Sequence, residues 1–330
     1  MRRRDGPQTR GAPPLAGPDS SPGPTGTSSR GARLGGRRRL LLGLAASLVA
    51  GRARADGPAP TNAFDADADL RNLKLTDATE GGRRFVLLTP RWQNPDAPVP
   101  LVVLLHGLGE TTNERLGAYA WLERYGLGSA WQRLKRPPLE RTSKRGEWTD
   151  PRLAEVNAEL AARPFRGFAM ACPFMPNPRG AVDLDAYATW IERSLVPRCR
   201  AEAPVIADPA RTYLCGVSLG GYVSLEMLVR LPHVFGAWAG LQTAIGTWAA
   251  PRYAEKIARS PGKPMLVLTS TLDHWRTSSE ALVAALDAKK IANTFRVVPG
   301  PHDQPWLREA GTVEALHWLD RLHEPAPTAP

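Results

Sequence analysis

From residue 83 onward the chain alternates short, almost continuously apolar runs with longer segments whose apolar residues recur every three to four positions. The short runs predict strands at 84–88, 101–105, 167–172, 212–215, 235–241, 265–269 and 294–298. The periodic segments predict helices at 185–199, 219–231, 277–289 and 312–322. Strands that are apolar at nearly every position are covered on both faces. Their alternation with helices therefore predicts an α/β, doubly wound, mostly parallel sheet, with no internal repeat. The interval 110–166 is too long for a simple connection and reads as an insertion after the first core strand.

Residues 1–55 have a different character. Up to residue 36 they are dominated by Arg, Gly, Pro, Ser and Thr, too little apolar surface to offset the entropy of ordering. Arg37-Arg38-Arg39 then precede an apolar stretch at 40–50 that is too short to span a bilayer, and Ala53-Arg54-Ala55 supplies a small-x-small cleavage site. This reads as a disordered leader and a twin-arginine type export signal cut after Ala55. The expected organisation is leader at 1–55, linker at 56–82, one domain at 83–323 and a proline-rich tail at 324–330. The expected location is the periplasm or the extracellular space, with no membrane span after cleavage.

The leader changes the meaning of the charge. The chain carries +11 at neutral pH, but residues 1–55 hold eleven arginines against two aspartates, so the remainder carries only +2. A nearly neutral domain without a basic recognition helix or stacking aromatics excludes nucleic acid as the expected partner. Cys172, Cys199 and Cys215 are not spaced as metal ligands, and no metal or organic cofactor is implied. Cys172 and Cys199 can pair only if their elements meet.

The candidate chemistry starts where the strand at 212–215 runs into Gly216-Val217-Ser218-Leu219-Gly220 and then a helix. This G-x-S-x-G turn lifts a serine hydroxyl clear of the sheet and leaves the Leu219 amide at a helix N-terminus, which favours developing negative charge. A serine hydroxyl needs a base, and the base needs a carboxylate to fix its tautomer. His302 follows the strand at 294–298 in Pro299-Gly300-Pro301-His302-Asp303 and is the expected base. His233, His317 and His323 fall at or within helices, and His106 has neighbours, Gly107, Leu108 and Gly109, that suit an oxyanion loop. The Leu108 amide is the expected second oxyanion donor beside Leu219. Asp273, beyond the strand at 265–269, is the expected acid, with Glu280 as the alternative.

The order Ser218, Asp273, His302, with the elbow, resembles the α/β-hydrolase superfamily. The segments 215–222, 231–236 and 299–303, followed by Trp306-Leu307-Arg308, resemble the esterases related to esterase D. Relatives of that kind include secreted feruloyl and acetyl-xylan esterases, enterochelin esterases and mycolyltransferases. The resemblance implies a serine esterase acting through an acyl-serine on a small-molecule or polysaccharide-linked ester. An acyltransferase on the same triad, a single-domain serine peptidase and a catalytically silent binding protein of this fold are the other readings.

The insertion departs from the minimal domains of this superfamily. Tyr119, Trp121, Tyr125, Trp131 and Trp148 lie in it, interleaved with Arg133, Lys135, Arg136, Arg141, Lys144 and Arg145. Because it directly follows the His106-Gly107 turn, it is expected to fold over the active end of the sheet and shape a substrate pocket. The alternative is a helical excursion whose aromatics pack on the domain while its charges are solvated.

Overall fold

The computed structural model describes residues 64–91 and 97–323. The leader, export signal, cleavage site and proline-rich tail lie outside the described residues. Eight strands form one sheet: β1 (Leu73–Glu80), β2 (Arg83–Pro90), β3 (Leu101–Leu105), β4 (Ala169–Pro173), β5 (Thr212–Val217), β6 (Ala237–Leu241), β7 (Met265–Leu272) and β8 (Asn293–Pro301). Their spatial order is β1-β2-β4-β3-β5-β6-β7-β8. The pairs β1·β2 and β2·β4 are antiparallel and every later pair is parallel.

Side chains of a strand alternate between faces, and both faces here are buried. Val102 and Leu104 of β3 join one apolar cluster, while Leu101, Val103 and Leu105 join the other. This two-sided burial is why the central strands, β3 to β6, are apolar at nearly every position.

Part of the segment expected to be a linker at 56–82 belongs to the sheet. A short helix, Ala66–Asp69, precedes β1, which pairs with β2 through a tight turn at Gly81 and Gly82, both at positive φ (53° and 74°). Such a turn matches the twist of a hairpin. The strand escaped notice because its exposed polar residues, Lys74, Asp77 and Thr79, fall on both faces and break the alternation of an amphipathic strand. Asp77 bonds Arg84 across the hairpin.

The second correction concerns the insertion. It folds as helices Glu114–Glu123, Leu127–Lys135 and Asp150–Ala162, and its large aromatics fill one face of the sheet. Trp121 stands edge-on to Tyr125, and Trp131 stands edge-on to Phe165 and Phe168, all buried. They therefore do not line a substrate pocket. Several cations are held rather than solvated: Lys135 donates to the carbonyls of Phe165 and Arg166, and Arg133 to those of Glu140 and Glu309. Glu309, itself buried, also accepts from the Thr142 amide, while Trp148 donates its indole N–H to the Glu309 carbonyl. These bonds latch the insertion to the segment that follows His302.

The helix expected at 185–199 starts earlier, at Ala181, and carries a wide turn at Ile191–Leu195 before Val196–Glu202. Pro197 sits just past that turn and cannot donate an N–H, a loss that a widened turn accommodates. Cys172, Cys199 and Cys215 are buried free thiols, and burial pushes each pKa up.

Candidate active site

Five residues at one edge of the sheet each follow directly on the last residue of a strand: His106 after β3, Ser218 after β5, Gln242 after β6, Asp273 after β7 and His302 after β8. This is the carboxyl edge, where open α/β sheets bind ligands.

Ser218 has φ 54° and ψ −116°, a conformation that L-residues rarely adopt. The turn is held by the Ser218 amide donating to the Leu241 carbonyl (2.9 Å), and by the Ser218 carbonyl accepting from the amides of Tyr222 (3.2 Å) and Ala244 (3.0 Å). The glycines are steric necessities. A Cβ on Gly216 would lie 2.1 Å from the Gly220 carbonyl oxygen, and one on Gly220 would lie 2.3 Å from that of Leu105. Ser218 stands at the N-cap of helix Leu219–Arg230, yet its side chain makes no capping bond. Serine normally spends its hydroxyl there; here the hydroxyl is not committed to the helix.

Asp273 and His302 meet. His302 Nδ1 lies 2.7 Å from Asp273 Oδ1, and because a carboxylate only accepts, that nitrogen carries the proton and Nε2 keeps its lone pair. Asp273 Oδ2 accepts from the Thr269 hydroxyl (2.6 Å) and Oδ1 from the Trp275 amide (3.0 Å). Burial pushes this carboxyl up, but the bonds from His302, Thr269 and Trp275 outweigh it and hold its pKa below the usual carboxylate range. Glu280, the alternative acid, pairs instead with Arg276 on its own helix. Asp303 points away from the imidazole, capping the Trp306 amide and pairing with Arg145 of the insertion at 2.8 Å.

The amides of Leu108 and Leu219 each stand first in a helical turn, Leu108–Glu110 and Leu219–Arg230, where an amide has no acceptor within its helix. The preceding Gly107 amide is committed, donating to the Tyr125 hydroxyl at 3.0 Å, and that hydroxyl donates onward to Glu110. His106 is fully buried beneath this loop: Nδ1 donates to the Gly107 carbonyl (2.9 Å) and Nε2 accepts from the Met175 amide (2.9 Å).

Two of these roles were not legible in the chain. Tyr125 belongs to the insertion yet holds the turn after β3 at the Gly107 amide. Gln242, at φ 48°, donates from Nε2 to Ser270 Oγ (2.7 Å) and to the Pro301 carbonyl (3.0 Å), tying the end of β6 to the residue before His302. A positive φ on a non-glycine marks it in the structure, but glutamine after a strand carries no signal by itself.

Burial lowers the pKa of His106 to about 4, and burial with neighbouring arginines lowers that of His317 to about 3. Both are near 6.5 in an unfolded chain, so between those values the unfolded state binds more protons and folding weakens as pH falls. The stability should be full above about pH 6.5 and drop on acidification toward pH 4, with His106 alone contributing about 3 kcal/mol across the window. Urea midpoints at pH 7.5, 6 and 5 read this directly; a flat profile would mean that these imidazoles take up protons in the native state.

No family model and no curated protein matches the chain. Among solved structures it is similar to a ferulic acid esterase, at 16% identity and TM-score 0.56, covering 76% of this chain and 97% of that one. It is also similar to a mutant feruloyl esterase module from Clostridium thermocellum complexed with sinapinate, at 15% identity, TM-score 0.58 and coverage of 83% and 96%. A third is S-formylglutathione hydrolase from Staphylococcus aureus, at 14% identity, TM-score 0.51 and coverage of 75% and 96%. The chain has the α/β-hydrolase fold, which these structures share along nearly their whole lengths.

Proposed function

We propose that this chain is a serine hydrolase that cleaves a carboxylic ester through an acyl-serine. The observation that carries the reading is the Asp273–His302 hydrogen bond at the same sheet edge as a strained serine whose hydroxyl caps nothing. Ser218 Oγ attacks the ester carbonyl while its proton passes to His302 Nε2. The Leu108 and Leu219 amides receive the oxyanion, a contribution of about 3 kcal/mol for one well-placed donor. Collapse returns the proton to the leaving alcohol, and a water deprotonated by His302 releases the acid.

Leu108, Val182, Trp248 and Leu272 are exposed large apolar side chains. They lie on connections after β3, β4 and β6 and at the end of β7, on the carboxyl side of the sheet. Exposed apolar side chains on the connections at this end of the sheet support an uncharged acyl or aromatic ester, free or carried on a polysaccharide, as substrate. The leader supports export by the twin-arginine route as the place of action.

The test is release of acid from p-nitrophenyl esters by the full-length chain, with Asp273→Asn as the discriminating variant. The Trp275 amide requires an oxygen at Oδ1, so asparagine should keep its oxygen toward His302 and preserve the tautomer while losing the charge. The expected loss in kcat/KM is smaller than the roughly 10⁴-fold fall seen when the tautomer is lost. Activity equal to the parent would remove Asp273 from the reaction.

A further inference from the structure

Asp273, His274 and His302 present one carboxylate oxygen and two imidazole nitrogens that all lie within 4.8 Å of one another. His302 Nδ1 is 2.7 Å and His274 Nδ1 is 4.0 Å from the same Asp273 oxygen, and the two rings are 4.5 Å apart at a tilt of 41°. A tetrahedral ion with ligands at about 2.1 Å separates them by about 3.4 Å. The Asp273–His302 pair must therefore open by about 0.7 Å, the Asp273–His274 pair close by about 0.6 Å, and the two imidazole nitrogens, within 4.8 Å of each other, come to the same separation. His274 is the side chain that can move, its ring being 64% exposed, whereas Asp273 is fixed by Thr269 and Trp275. Two imidazoles and a carboxylate suit Zn²⁺ and its neighbours, not Ca²⁺ or Mg²⁺, which want oxygen ligands.

We propose that Asp273, His274 and His302 form a binding site for Zn²⁺-class ions whose occupation switches hydrolysis off. The switching rests on the serine-hydrolase reading; the binding does not. Either ring nitrogen of His302 leads to the same end. If Nε2 takes the ion, the lone pair that would accept the Ser218 proton is consumed directly. If Nδ1 takes it, the ring proton leaves Nδ1 and the neutral ring carries it on Nε2, so no lone pair remains toward the serine. The proton count of the imidazole is unchanged in the second case, and the bond to Asp273 is replaced by metal coordination. His274 has no part in the hydrolytic steps above, so the site adds an inhibitory ligand to a catalytic pair.

The test titrates Zn²⁺ against a chromophoric chelator with the full-length parent, Ser218→Ala, His274→Ala, His274→Gln and His302→Ala. One ion should bind to the parent and to Ser218→Ala alike, with affinity at least about tenfold weaker once either imidazole ligand is removed. The ester rate with zinc divided by the rate without it should fall at least about tenfold in the parent, recover with chelator, and stay near one in both His274 variants. The ratio cancels any effect of the His274 changes on the rate itself. Weakened zinc binding in the His274 and His302 variants supports the site even if no ester is cleaved, a result that sinks the hydrolase reading alone. Zinc affinity unaltered in those variants, or ester hydrolysis unaltered by bound zinc, overturns the proposal.

Discussion

Replacing Ser218 with alanine is expected to abolish labelling by a fluorophosphonate and to lower kcat/KM for a p-nitrophenyl ester by about 10⁴-fold or more, with the fold intact. The size follows from the proposed mechanism: without the hydroxyl no acyl-serine would form, and His302 and the Leu108 and Leu219 amides would assist only a water. The fold should survive because alanine at φ 54° is no more strained than serine, and the serine side chain makes no capping bond to lose. A circular dichroism melt unchanged from the parent, beside the lost activity, would isolate the hydroxyl as the cause. If Ser218→Ala is still labelled, or still cleaves the ester at the parental rate, the nucleophile lies elsewhere and the hydrolase reading loses its central residue. An adduct mapped to Ser218 in the parent, and absent in His302→Ala, would tie the activation of the serine to its base.

The second large effect is on stability. Gly220→Ala is expected to destabilise the domain by about 3 kcal/mol or more and to lower the melting temperature by roughly 10 °C. The added Cβ meets the carbonyl oxygens of Leu105 and His106 at 2.3 and 2.4 Å. These are backbone atoms at the end of β3, which cannot step aside as the tip of a flexible side chain would. Helix Leu219–Arg230 must retreat from the sheet, and with it the Leu219 amide moves relative to Leu108, so activity should fall along with stability. Gly109→Ala is the control, because a Cβ there meets nothing within 4 Å. A melting temperature for Gly220→Ala equal to that of the control would mean that the helix does not pack on β3 as described.

The elbow and the two-sided burial of the strands were readable because both are local. A glycine two residues on either side of a serine, between an apolar run and a helical period, specifies a strand-turn-helix whatever surrounds it. The order of Ser218, Asp273 and His302 along the chain is also a property of sequence. That His302 Nδ1 lies 2.7 Å from Asp273 is not. It depends on β7 and β8 being parallel neighbours, with the register shift between Ser270 and Leu272 and the bond from the Gly300 amide to the Thr271 hydroxyl shaping the ends that carry the two side chains.

The insertion shows the same division most clearly. Its composition announces that Trp121, Trp131 and Trp148 must be covered, since such area is costly in water. Composition does not say what covers them, and a pocket and a sheet face are equally apolar. The chain used them to build the core, and used smaller polar contacts, the Tyr125 hydroxyl on the Gly107 amide and Arg145 on Asp303, to brace the loops of the candidate site. The edge strand β1 was hidden for the converse reason, because exposed polar residues on both of its faces erase an apolar period.

Sequence by itself determined the α/β class, the serine at its elbow and the candidates for acid and base, since periodicity, glycine sterics and strand ends act over a few residues. Tertiary structure alone decided which acid meets the imidazole, where the aromatics go, and that Gln242 ties two strand ends together. The Asp273–His302 and Gln242–Pro301 contacts join residues 29 and 59 positions apart, and only strand order and packing bring them within a hydrogen bond.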